Sequence, residues 1–171
     1  MPRFIAIAFT LTLGVLAGLA LHLGASAAHG QSKSSGKEDE GKTLDPKAME
    51  TVGLLASLYF YQAHMNLGVL ADCQAEGVYE TKQAKELAMS ILVPLDAVEK
   101  RLYAVAKTAP TKEDRATMEQ WAKCAVPLRR QGAELLLYWD TGDKEHLLRY
   151  QSTRKEAWDG LRVLLGLKDT K

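Results

Sequence analysis

Residues 81–105 read TKQAKELAMSILVPLDAVEKRLYAV. Ala84, Ala88, Ile91, Leu95, Val98, Leu102 and Val105 recur there in alternating steps of four and three. On a helix of 3.6 residues per turn, this spacing draws a single apolar stripe and leaves the charged side chains on the opposite face. A strand would need alternation at period two, and no stretch of useful length shows it. Pro94 lies inside the stripe and removes one backbone hydrogen bond. Because the period stays in phase on both sides, it predicts a kink rather than an end.

Working outward, the same punctuation recurs. Upstream, Asp45-Pro46 is a helix start, with Asp as N-cap and Pro in the first turn, and Leu44 can staple onto Met49. A first helix then runs to about Glu76, with apolar or small residues at 49, 52, 56, 59, 63, 67 and 70, until Gly77-Val78 breaks it. Downstream, Ala109-Pro110 ends the second helix, and Thr111-Lys112-Glu113-Asp114 resembles a capping box. The third helix carries a stripe from Met118 through Trp121, Leu128 and Leu135 to Trp139, with Pro127 as a second expected kink. After the turn Asp140-Thr141-Gly142-Asp143, the fourth helix carries Tyr150, Arg154, Trp158 and Leu161 and stops at Gly166. Four amphipathic helices joined by short turns predict an all-α fold, an up-down-up-down four-helix bundle over residues 44–171.

What precedes the bundle reads as an export leader. Arg3 is followed by FIAIAFTLTLGVLAGLALHL, Phe4 to Leu23, and then by the small residues Gly24 to Ala28. A charged start, an apolar run and an A-x-A-like exit make residues 1–28 a signal peptide or a retained N-terminal membrane anchor. Residues 29–43 contain no large apolar side chain and read as a flexible polar linker. The expected address is outside the cytoplasm, either periplasmic or extracellular, or tethered to the membrane through Phe4–Leu23.

The chain of 171 residues carries 22 basic and 21 acidic side chains, and Arg3 is the only one of these before Lys33. That balance gives no electrostatic case for a nucleic-acid partner. Cys73 and Cys124 show neither CxxC nor CxxCH spacing. Ranked by helix rise, they differ in height by roughly 15 Å, whereas a disulfide needs Cα atoms within about 7 Å, so no bridge between them is expected.

The same ranking groups the polar side chains. Near one end lie Cys73, Asp72 and Glu76 with His146, a donor set of the right types for zinc or copper but without a spacing motif. Around the middle, Arg154 takes a stripe position where a leucine would be ordinary, and Asn66 falls at its height with Gln131 and Gln151 close by. Such a layer can fix helix register, or Arg154 can hold a small ligand or anion inside the bundle. Tyr59, Trp121 and Trp158 are expected at one lower level as core packing. A haem with ligands from among Met49, Met65, His64 and His146 is disfavoured: Met49 and His146 fall at opposite ends, and Met65 lies several turns from His146. No Glu has a His three residues later, which excludes the ExxH pairs of di-iron bundles, and no GxSxG occurs.

No catalytic motif is present, and no cofactor is expected. The leading expectation is a non-enzymatic interaction or structural module of the cell envelope, with a protein or envelope partner. The alternative is a small-ligand or metal-binding bundle using the central polar layer or the cluster at the turn end.

Overall fold

The computed structural model describes residues 45–167, so the expected leader, the linker and Leu44 lie outside the described residues. Four helices account for nearly all of this span: α1 (Pro46–Ala75), α2 (Thr81–Lys107), α3 (Lys112–Thr141) and α4 (Lys144–Leu164). No strand occurs among the described residues.

The helix starts follow from side-chain caps. Asp45 accepts from the Lys47 N–H at 3.0 Å, Thr111 from the Asp114 N–H at 3.0 Å and Asp143 from the Glu145 N–H at 2.9 Å. Each satisfies a donor that the first turn leaves without an intrahelical acceptor, a contribution of about 1 kcal/mol. Between α3 and α4, Gly142 sits at φ +70°, the left-handed conformation that lets the chain reverse within three residues. Both α2 and α3 run unbroken through their internal prolines, Pro94 and Pro127.

Cross-helix contacts give each helix its direction. Lys85 pairs with Asp140 and Glu99 with Arg129, so α2 and α3 are antiparallel. Glu156 meets Arg130 and His146 meets Glu134, so α3 and α4 are antiparallel as well. Tyr61 meets Trp158 and Gly68 meets Arg154, which reverses α4 against α1. Between α1 and α3 the order is parallel: Gly53 lies under Trp121, and His64 bonds to Gln131.

The cross-section is a flattened rhombus rather than a square. α1 touches all three other helices, including α3 across the short diagonal, whereas α2 and α4 do not meet. Small residues permit that closeness. A methyl group on Gly53 would lie 2.5 Å from the Trp121 ring of α3, and at the separate α2–α3 contact one on Gly132 would lie 2.4 Å from a Leu92 methyl. The fully buried Phe60, Leu95, Leu128 and Leu161 form one part of the core, and Leu67, Leu70, Ala84 and Ala88 the other. Each large buried aliphatic stabilises the fold by about 1.5–3 kcal/mol relative to exposure.

Trp121 and Trp158 are not level. Trp121 covers Gly53, while Trp158 lies beside Tyr61 and His64, further along α1 by a rise of about 12–16 Å. α4 has 21 residues against 30 in α3, so heights reckoned from opposite turns do not agree. Cys73 and Cys124 are both free and half-buried.

Candidate functional site

α1 contributes His64 to the centre of the bundle because residue 64 lies on the same face as Phe60 and Leu67. Its ring is buried, 5% exposed, and stacks on Trp158 of α4 with centroids 5.7 Å apart and planes at 21°. His64 Nδ1 lies 3.1 Å from Oε1 of Gln131 on α3, and since an amide oxygen only accepts, Nδ1 carries the proton and donates. Burial pushes the His64 pKa below its ordinary 6.5. The Gln131 bond opposes that shift, and the Arg154 charge adds to it. The imidazole is therefore held neutral.

Behind this pair the polar groups are not all satisfied. Gln131 is completely buried, and its Nε2 has no hydrogen-bond partner. The Tyr150 hydroxyl on α4 is also buried without one. Burial raises the Tyr150 pKa above its ordinary 10.0; the Arg154 charge and the polar groups of Gln131 and Arg154 beside the hydroxyl pull it back in part, and the Asp72 charge adds to the rise. An unmet buried donor costs about 1–3 kcal/mol, so two side by side are unusual in a small bundle.

Arg154 lies across Gly68 of α1, where an added Cβ would come 2.7 Å from Nη2. Only glycine at 68 leaves room for the guanidinium there. Arg129 is paired with Glu99 and Asp96, Arg130 with Glu156, and Arg149 with Glu134 and Glu145. Arg154, half-buried, takes part in none of the ion pairs among the described residues. Together with His64, Gln151, Lys155 and Trp158 it lines a cleft of about 340 Å³ between α1 and α4. The cleft thus combines a cation outside any ion pair, an aromatic wall and a neutral imidazole.

Of the four residues expected in a polar layer, the structure brings three together. Arg154 and Gln151 line the cleft, and Gln131 lies behind it. Asn66 is close to Arg154 in height, but it sits about 200° round α1 from both His64 and Gly68, on a different side of the helix. Height could be counted from the turns, whereas rotation could not. His64, Tyr150 and Trp158 complete the site; the available signal was a polar atom at each of three positions on buried helical faces.

The turn-end cluster does not assemble as a metal site. His146 Nδ1 lies 2.7 Å from Glu134, which also takes Arg149 at 3.1 Å. Asp72 and Glu76 are exposed, and Cys73 is half-buried. Among the described residues no three His, Cys, Asp or Glu side chains are placed to hold a metal ion. Comparison with protein-family models, with curated proteins and with solved structures finds no match.

Proposed function

We propose that this chain is an exported, non-enzymatic bundle of the cell envelope that works by binding, and that the cleft between α1 and α4 takes a small anionic molecule. The observation that carries this reading is Arg154, which takes part in no ion pair among the described residues and lines the cleft beside the neutral His64 and the Trp158 ring. A carboxylate or phosphate would supply negative charge and acceptor oxygens for the guanidinium. Trp158 offers apolar surface to the rest of such a molecule. Residues 1–28 would serve as signal or anchor and 29–43 as tether.

Calorimetric titration with acetate, benzoate and inorganic phosphate, beside benzyl alcohol and benzylamine, tests the reading. The anions are expected to bind and raise the melting temperature, and Arg154→Met is expected to abolish both effects without unfolding the protein. Equal behaviour of anionic, neutral and cationic probes at millimolar concentration would reject it.

A contact role, the leading expectation from sequence, has one specific support in the outward face of α1. Leu54, Leu58 and Met65 are 56%, 49% and 42% exposed there, an unusual amount of apolar surface for one helix face.

A further inference from the structure

Residues 51–71 contain no Asp, Glu, Lys or Arg, so most of α1 is uncharged on every side. One side packs on the bundle. The other carries a seam of strict heptad spacing that begins at Lys47 and continues through Thr51, Leu54, Leu58, Tyr61 and Met65. It then passes Gly68 and ends at Asp72. All of these except the buried Gly68 are exposed, Leu54 at 56% and Leu58 at 49%.

The seam matches itself when reversed. Laid antiparallel on a second copy about a two-fold axis between Tyr61 and Leu58, Leu54 meets Met65 and Leu58 meets Tyr61. Lys47 then meets Asp72, and Thr51 falls at the level of Gly68, where the Arg154 side chain covers the helix and is what Thr51 would meet. Every one of these is an a-to-d contact, as antiparallel helix pairs require. The only charged positions on the seam are its two ends, and they are opposite in sign. A two-fold repeats each contact, giving two Lys–Asp pairs around an apolar centre. Contact over the roughly 38 Å from Lys47 to Asp72 would bury on the order of 1,000 Å² in total, where specific interfaces begin.

We infer that α1 pairs antiparallel with α1 of a second copy of this chain, with Lys47 of each copy against Asp72 of the other. The seam borders the cleft at Tyr61 and Gly68, which touch Trp158 and Arg154, but Lys47, Leu54, Leu58 and Asp72 do not line it, so the pairing does not rest on the anion reading.

The test uses the full chain in mild detergent, as an equal mixture of isotope-light and isotope-heavy protein treated with a zero-length carbodiimide cross-linker. Within one copy Lys47 and Asp72 are about 38 Å apart on one helix, so any bond between them joins two copies. Light–heavy peptides linking Lys47 to Asp72 are expected, together with a dimer mass by light scattering. Lys47→Asp and Leu58→Glu should each lose the link, and the swap Lys47→Asp with Asp72→Lys should restore it in reversed form. Leu58 is exposed, so Leu58→Glu should keep the helical circular dichroism of the parent. A monomer at all concentrations would overturn the inference. So would a dimer that lacks this link and is indifferent to Leu58→Glu, or vesicle binding through α1 without the link.

Discussion

Tyr150 shows how much a single atom decides here. Its ring packs as an ordinary core aromatic, 4% exposed, but the hydroxyl has been taken from water without a replacement partner. Tyr150→Phe should therefore raise the stability of the ligand-free protein by about 1 kcal/mol and leave anion binding in the cleft unchanged. Denaturant unfolding and calorimetry on the same variant check both halves, and a loss of stability would show that the hydroxyl is satisfied in solution. His64 gives a pH signature. Its folded pKa is lowered, so below the unfolded value of 6.5 the unfolded chain binds more protons than the folded one. The stability held at neutral pH should then fall as pH drops through 6.5 toward the folded pKa. Melting curves across that range should show a steeper decline for the parent than for His64→Gln. Arg154 was legible from its place between Tyr150 and Trp158, but its neighbours were not. Helix periodicity assigns a residue to the buried face without saying which helix it meets there, and Asn66 and His64, two residues apart, meet different surroundings.

At the scale of the helix, glycine has opposite meanings at two positions. Gly53 lies against the Trp121 ring, and a Cβ there would be 2.5 Å from it. Gly53→Ala should cost about 1–3 kcal/mol through forced displacement of the indole, despite the better helix propensity of alanine. Gly160, inside α4, has nothing within 4 Å of the added carbon. Gly160→Ala should stabilise by about 1 kcal/mol. Thermal unfolding of the two variants checks the pair, and equal effects would reject the close α1–α3 approach. Helix number and limits were legible because Asp45, Thr111 and Asp143 cap where the apolar period begins. The close approach of α1 to α3 was not. It depends on Gly53, which in sequence reads only as a small residue beside the stripe.

For the whole molecule, alternation of direction was legible from the short turns, while the rhombic cross-section was not, because turn length does not say which diagonal is short. That alternation has a topological consequence. α4 runs back along α1 with Trp158 beside Tyr61 and Arg154 beside Gly68, so Leu167 ends within about 15 Å of the start of α1 along the axis. The order in which the helices are strung is then separable from the way they pack. A circular permutant that starts at Asp143, crosses from Leu167 into Asp45 by a short Gly/Ser joint and ends at Thr141 keeps every helix–helix contact intact. It should show the same helical circular dichroism as the parent and bind the same anions. Failure to fold would mean that the α3–α4 turn at Gly142 is needed to start assembly.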